Sequence, residues 1–356
     1  MIHLADESKP RQKLQTLEVV RALAALAVVV FHSSQQPFMA GLCAELPPVF
    51  DLGKYGVPVF FVLSGFIIIF VHGREIGRPE RVPRYFYRRW LRIWPLYAAL
   101  TLLQVTVKPL MPGRESETLS QVITSLLFLD LGETPIINVG WTLVHEAFFY
   151  SVFGVVMIFG NRFVAWFLIV FLALQTGVHF DQSTAGPLAS FVFSPMRWYF
   201  LVGIAVGCMT PVAFSPNSQG PRKIGLFVLL SVGLIGSVGA LSPNFGKVSG
   251  WILLMAVLIG LVLLALVSYD LRKGVKMPRL LVYLGAASYS IYLVHSTVID
   301  LGLVSLGKIA PVLLVNHLGV TMAVLALISV GCGLICHELL EKPLIRWFRS
   351  LRAEKV

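Results

Sequence analysis

The chain has 356 residues, of which 56% are hydrophobic and 13% are charged, and its mean hydropathy is +0.80. Soluble domains carry about 25% charged residues, so this composition excludes a soluble globular protein and predicts an all-α protein that crosses a membrane several times. The net charge of +11 would suggest a nucleic-acid partner for a soluble protein. In a membrane protein such an excess is typical of cytoplasmic loops, so we expect the lipid bilayer, and no nucleic acid, as a partner.

The predicted elements are membrane spans, each of which needs about 20 mostly apolar residues. Segment 121–132 is too short to span and is predicted to lie at the interface or in a loop. No segment fits a soluble domain, so residues 1–356 are predicted to form one membrane-embedded domain with short tails at 1–16 and 338–356. No small-residue cleavage motif follows the first span, which we therefore expect to be retained. About ten spans are predicted: 17–33, 55–72, 86–107, 141–160, 162–180, 188–209, 224–241, 248–268, 282–306 and 311–337.

The basic residues predict the orientation of these spans. With a cytoplasmic N-terminus and alternating spans, 23 of the 29 lysine and arginine residues lie on the cytoplasmic side. Such an excess of basic residues in cytoplasmic loops sets the orientation of membrane proteins. Ten spans then return the C-terminus to the cytoplasm, so both termini are predicted to be cytoplasmic.

The first predicted span contains the run RALAALAVVVFH, which begins with Arg21 and ends with His32. Eleven positions correspond to just over three helical turns, so both side chains lie on nearly the same face, about 16 Å apart along the axis. In the predicted orientation Arg21 is near the cytoplasmic end and His32 is near the opposite end.

The third predicted span opens with RYFYRRWLRIWPLY, in which Arg88, Arg89 and Arg92 crowd the start of the helix. Arginine forks bind phosphate through paired hydrogen bonds, so these side chains are candidates for a phosphorylated ligand. The alternative is an ordinary membrane anchor, because basic residues beside Trp90 and Trp94 are also typical of an interfacial belt.

The fourth predicted span contains the adjacent ionisable residues His145 and Glu146, in NVGWTLVHEAFFY. Burying such groups in a membrane is costly, and their presence favours a functional site. Neighbouring residues on a helix point about 100° apart, so we expect one of them, Glu146, to face the site. The alternative is that both lie shallow enough to reach water.

The ninth predicted span, AASYSIYLVHS, carries Ser288, Tyr292 and His295 on one helix face. A polar stripe of this kind lines a cavity or forms hydrogen bonds between helices.

In the second span the small residues Ser64 and Gly65 favour close helix packing. The four cysteines show no disulfide framework, and packing is favoured over a metal site, so no metal is expected.

Several stretches together resemble the acyltransferase 3 family of integral membrane acyltransferases. Ten residues separate Arg21 and His32, as in the first-helix signature of that family. GVPVFFVLSGF, RRWLRIWPLY, GWTLVHEAFFY, SYSIYLVH and HELLEKP resemble further family motifs in the same order along almost the whole chain. The length and the opening LQTLEVVRALAALAVVVFH are most similar to the exopolysaccharide-acetylating subgroup, and the additional soluble hydrolase-like domain of some members is absent from this sequence.

The resemblance implies an O-acyltransferase in the bacterial cytoplasmic (inner) membrane. It would use acyl-CoA, most often acetyl-CoA, from the cytoplasm and a hydroxyl of an extracytoplasmic or lipid-linked saccharide. Polysaccharide biosynthesis proteins are the expected protein partners. The resemblance also implies roles for single residues, with His32 and Glu146 as the catalytic candidates. The cofactor-binding candidates are Arg21, Arg88, Arg89 and Arg92, and the substrate-lining candidates are Tyr292, His295 and His145.

Three alternatives stay open at this point. His32 acts either as a general base on the acceptor hydroxyl or through an acyl-histidine intermediate. The competing classes of function are a polysaccharide or lipid transporter and a non-catalytic membrane subunit of a polysaccharide synthesis complex. Against a transporter, the sequence has no pair of Gly/Pro-broken spans in matching positions.

Overall fold

The computed structural model describes residues 14–39, 48–110, 116–129, 132–160, 196–210, 220–241, 247–310 and 316–353, together with positions 191, 194 and 312. Within these residues all regular structure is helical. Its α-helices are α1 (Gln15–Met39), α2 (Pro48–Asp51), α3 (Gly56–His72), α4 (Val82–Val107), α5 (Leu119–Leu127), α6 (Trp141–Phe159), α7 (Arg197–Met209), α8 (Gly220–Leu241), α9 (Lys247–Lys273), α10 (Arg279–Ala286), α11 (Ser288–Ile309), α12 (Leu318–Cys336) and α13 (Lys342–Ala353).

The described residues contain six stretches long and apolar enough to cross a membrane: Gln15–Gln35, Val49–Glu75, Asn138–Phe159, Gly250–Lys273, Ser288–Ile309 and Leu318–Leu351. The predicted all-α membrane protein is confirmed, whereas ten spans and two cytoplasmic termini stay predictions. Predicted span 162–180 lies outside the described residues. Helix α7, within predicted span 188–209, has 13 residues, which is shorter than a bilayer crossing needs. Helix α5, within the segment predicted not to span, has nine residues.

Helix α1 contacts several other helices, among them α3, α10, α11 and α12. Its buried face carries Ala22, Ala25 and Val28, each at most 1% exposed, and small side chains let neighbouring helices come close. The first turn of α1 is fixed by α9, because the backbone N–H and the hydroxyl of Thr16 both donate to the Asp270 carboxylate, at 3.2 and 2.7 Å. This contact satisfies an N–H group that a helix start leaves without an intrahelical partner.

Helices α3 and α7 form the most extensive helix pair of the described structure. A Cβ atom added at Gly65 would overlap the carbonyl oxygen of Phe200, and one at Gly203 would overlap that of Val62. The two backbones therefore touch through reciprocal glycines, as the small residues of the second span predicted. The contact holds α3 rigidly against α7, so that the opposite side of α3 faces α1 and α6.

The end of α12 is joined to α11 and leads into a surface helix. His337–Glu341 form a wide π-type turn, in which the His337 ring lies 2.6 Å from the Glu341 carboxylate. Ser290 of α11 donates to the same carboxylate at 2.6 Å. Beyond this turn, α13 packs on α4, where Tyr87 donates to the carbonyl oxygen of Phe348 at 2.8 Å. Helix α13 occupies most of the segment that was predicted as a C-terminal tail.

Candidate active site

Two cavities meet between α1, α3, α6 and α11. The first, here called the inner cavity, has a volume of about 60 Å³ and is lined by the polar side chains of Arg21, Ser64, Arg92, Glu146, Ser288 and Tyr292. The second, the outer cavity, has a volume of about 500 Å³ and is lined by His32, Lys54, Tyr55, Trp141, Tyr199 and Trp251, among others. Val57 and Tyr292 line both cavities, so these two side chains mark the junction.

The inner cavity is basic because Arg21 of α1 and Arg92 of α4 line it together. Arg21 donates through Nη1 to Glu18 at 3.0 Å, while its Nε is buried without a hydrogen-bond partner. Two guanidinium groups from different helices, one with an unused buried donor, suit an anionic ligand with several acceptor oxygens. The sequence identified both arginines, and the fold brings them to one cavity.

The Glu146 carboxylate shares the inner cavity with the two arginines and is fixed by two hydroxyl groups. Ser64 of α3 donates to its Oε1 atom at 2.8 Å, and Tyr150, one turn further along α6, donates to the same oxygen. A carboxylate in a buried setting is stabilised by such donors. Glu146 therefore has a defined position in the wall, with a second oxygen available for other contacts.

His32 lines the outer cavity, near the junction with the inner one. Its Nδ1 atom is 3.1 Å from the carbonyl oxygen of Val28, one turn earlier in α1. The ring also makes an edge contact with Phe31. The half-buried imidazole is thus held on one side by its own helix and faces the cavity on the other side.

A second histidine, His295 of α11, lies directly against His32. The distance from His295 Nε2 to His32 Nδ1 is 3.1 Å, and the ring centroids are 4.9 Å apart. His295 Nδ1 is 2.6 Å from the carbonyl oxygen of Tyr292. His295 is 0% exposed, so it lies behind His32 as seen from the outer cavity. The sequence predicted both residues but not that they form a pair.

The junction is closed by the ring of Tyr292. Its hydroxyl is 3.0 Å from the Thr142 hydroxyl and 3.4 Å from the carbonyl oxygen of Val139. The ring packs edge-on against Phe60 of α3. Tyr292 thus connects α11 to the start of α6 and narrows the passage between the two cavities.

The other predicted site residues lie away from these cavities. Arg89 lines a separate cavity of about 380 Å³ between α4 and α6, with its guanidinium carbon 5.3 Å from the centre of the Tyr150 ring. Arg88 is exposed. His145 packs among aromatic rings, stacked on Phe191 with centroids 4.8 Å apart, on the side of α6 away from Glu146. Of the two adjacent ionisable residues, Glu146 therefore faces the site, as predicted.

Sequence reasoning missed Ser64, Tyr150 and Thr142 as site residues. Tyr150 could have been found, because it follows Glu146 by four positions and so lies on the same helix face. Ser64 was interpreted as a packing residue, and nothing in its own helix indicates a contact 82 positions away. In the part of the chain that the structure describes, no group of three His, Cys, Asp or Glu residues is arranged to hold a metal ion.

Comparison with known proteins identifies the family of this chain. The sequence model of the acyltransferase 3 family, described as an acyltransferase domain, matches residues 14–338. The chain belongs to this family. It is therefore a membrane acyltransferase, as its motifs predicted.

Two curated relatives of this acyltransferase align over most of its length. It is similar to the exopolysaccharide production protein ExoZ of Rhizobium meliloti (strain 1021), with 30% identity over 324 residues, which cover 85% of this chain and 93% of the relative. It is also similar to the acyltransferase MdmB of Streptomyces mycarofaciens, with 27% identity over 372 residues, which cover 94% of this chain and 92% of the relative. No solved structure is significantly similar to it.

Proposed function

We propose that this acyltransferase moves an acyl group, most often acetyl, from acyl-CoA in the cytoplasm to a hydroxyl of an extracytoplasmic or lipid-linked saccharide. The observation that carries the proposal is the meeting of two unlike cavities at Tyr292, one basic and one lined by His32. The similarity to an exopolysaccharide production protein supports the saccharide acceptor. We assign the protein to the bacterial cytoplasmic membrane, where both substrates are within reach.

The donor enters on the side of Arg21 and Arg92. Their guanidinium groups suit the phosphates of CoA, which are polyanionic and accept paired hydrogen bonds. The inner cavity, at about 60 Å³, holds only about four water molecules. It therefore has room only for the thioester end of the pantetheine arm, so the nucleotide and most of the arm lie outside it, next to the arginines. The arm carries the thioester towards Tyr292.

The acceptor binds in the outer cavity, which is far larger and rich in aromatic side chains. Trp141, Tyr199 and Trp251 line it, and the negative faces of such rings attract the polarised C–H groups of a sugar ring. Lys54, which donates to Asp51 at 3.2 Å, adds a polar group to this wall. A saccharide bound there presents a hydroxyl to His32 without entering the inner cavity.

His32 is the general base of the transfer. Its imidazole accepts the proton of the acceptor hydroxyl while the oxygen attacks the thioester carbonyl carbon. The carbon–sulfur bond then breaks, and the imidazolium returns the proton to the leaving thiolate, which departs as CoA. Positioned proton transfer of this kind contributes about 10²–10⁴-fold to the rate. Glu146 and Tyr292 hold the reacting groups in place from the walls of the inner cavity.

The proposal is tested in a deletion strain of the source organism, complemented with the wild type or with His32→Ala at matched membrane levels. Ester-linked acyl groups on the surface polysaccharides are measured by mass spectrometry. The wild type should restore an acyl mass that His32→Ala does not, because the general base is lost. His72→Gln, which changes a buried histidine of α3 bonded to Glu75, is the matched control and should restore the mass.

The other outcomes contradict the proposal in distinct ways. Equal restoration by wild type and His32→Ala would show that His32 is structural. If neither changes acylation but polysaccharide export differs, the transporter becomes the better interpretation.

A further inference from the structure

His295 is the one side chain of the histidine pair that the proposed reaction does not use. It is fully buried on α11, and its ring touches His32 on the side opposite the outer cavity. A hydroxyl bound in that cavity therefore reaches His32 but not His295. Any role of His295 in the transfer must act through His32.

The hydrogen bonds define which nitrogen atoms carry protons. A carbonyl oxygen can only accept, so His295 Nδ1, 2.6 Å from the oxygen of Tyr292, carries the hydrogen. In a neutral imidazole the other nitrogen is then an acceptor. His295 Nε2 thus offers a lone pair to His32 Nδ1 at 3.1 Å.

The neighbours of His32 also define which of its nitrogen atoms carries the proton. Its Nδ1 faces two acceptors, the lone pair of His295 and the carbonyl oxygen of Val28 at 3.1 Å. It must therefore carry the hydrogen and share it between them. The remaining nitrogen, Nε2, is left without a proton, which is the state that a general base requires.

From this geometry we infer that His295 is a positioning residue: its Nε2 accepts the His32 Nδ1–H and so presents an unprotonated His32 Nε2 to the acceptor hydroxyl. The consequence for catalysis rests on the proposed function. His32 is thus a base that is oriented by another side chain, as in activated nucleophile–base sites. Here the orienting group is the neutral imidazole of His295, whereas a carboxylate is more usual. When His32 takes up a proton, its Nδ1–H donates to the lone pair of His295 and to the oxygen of Val28. These two acceptors stabilise the positive charge of the imidazolium.

The protonation pattern can be measured without any enzyme activity. The full-length protein is labelled with ¹⁵N-histidine, placed in lipid nanodiscs at a pH of about 8.5, above the ordinary histidine pKa of about 6.5, and studied by solid-state NMR. The chain has eight histidines, so the two rings are assigned by comparison with His32→Gln and His295→Gln. Both rings should be protonated at Nδ1 and bare at Nε2. A proton on Nε2 of either ring would overturn the inference.

The kinetic test compares three substitutions at position 295. Glutamine can place a polar atom near the position of His295 Nε2, asparagine is too short, and leucine has no polar atom. With acetyl-CoA and the de-esterified surface polysaccharide as probes, Asn and Leu should lower kcat about 10²-fold, with the KM for acetyl-CoA within about twofold. His295→Gln should recover kcat to within about tenfold of wild type.

A role in packing alone predicts a different pattern. His295→Gln would then be no better than His295→Leu, and that result would overturn the positioning role, as would a wild-type kcat in His295→Leu. If the leucine variant does not fold, the comparison of Gln with Asn, which are both polar, decides the matter. Should the NMR pattern hold while the wild type transfers no acetyl group, the proposed function fails and the hydrogen-bond assignment stands.

Discussion

The inner and outer cavities share the Tyr292 ring but differ in almost every other property. The inner cavity is small, and its lining includes three ionisable side chains, two arginines and a carboxylate. The outer cavity is about eight times larger by volume, 500 against 60 Å³, and its wall is rich in aromatic side chains. Charge in a confined space selects an anionic, extended ligand, whereas broad aromatic surfaces accept a bulky neutral ring system. This difference is what the proposed function requires, since an anionic donor and a saccharide acceptor are chemically unlike.

The largest effect on this difference between the cavities is expected when a positive charge is removed from the inner cavity. Arg92→Gln should raise the KM for acetyl-CoA about 10- to 100-fold, because a charge-assisted hydrogen bond to a phosphate contributes about 1.5–3 kcal/mol. The KM for the acceptor should stay within about twofold. Both constants are measured by CoA release from purified protein in nanodiscs.

Arg84→Gln is the matched control for this substitution, since Arg84 is an exposed arginine of the same helix. It should leave both constants unchanged. An increase of the acceptor KM in Arg92→Gln would show that the arginine does not distinguish the two substrates.

A smaller effect is expected from the aromatic wall of the outer cavity. Trp251→Ala should raise the KM for the polysaccharide acceptor about 3- to 10-fold, because a well-placed ring contributes about 0.5–1.5 kcal/mol, and should leave the KM for acetyl-CoA unchanged. Trp251 is 57% exposed, so the fold should tolerate its loss. Trp347→Ala, at a tryptophan that is 55% exposed on α13, should change neither constant. A donor defect in Trp251→Ala would mean that the cavities are not separate subsites.

The smallest effect should come from the hydroxyl groups that hold Glu146. Ser64→Ala removes one of its two hydroxyl donors and should lower the free energy of unfolding by about 1 kcal/mol and kcat by about two- to threefold. Thermal unfolding and steady-state rates in nanodiscs measure both. Ser237→Ala, at an exposed serine of α8 that bonds its own helix, should change neither. A Ser64→Ala variant with wild-type stability would show that Tyr150 alone fixes the carboxylate.

Local patterns predicted the all-helical class and the side chains that share a helix face. Helical periodicity was enough to choose Glu146 over His145, because adjacent residues point in different directions and only one can face a given cavity. The same periodicity grouped Ser288, Tyr292 and His295 on one face of α11. Each of these inferences needs only the geometry of a single helix.

Contacts between helices could not be predicted in this way. His32 and His295 are 263 positions apart, and no property of either helix indicates that α1 and α11 are neighbours. The arginine motif shows the same limit: Arg89 and Arg92 differ by three positions, yet the packing of α6 against α4 directs them to different cavities. Which side chains meet depends on which helices are neighbours in the bundle. A single sequence does not show which helices are neighbours.

The narrow junction at Tyr292 also has a consequence for the membrane itself. A protein that connects both faces of an energised membrane is a potential leak for protons and small ions. The Tyr292 side chain, held by Thr142 and packed against Phe60, lines both cavities and so lies where they adjoin. In the proposed transfer only the acyl group has to pass this side chain, so the reaction needs no continuous water-filled pore that would dissipate the electrochemical gradient.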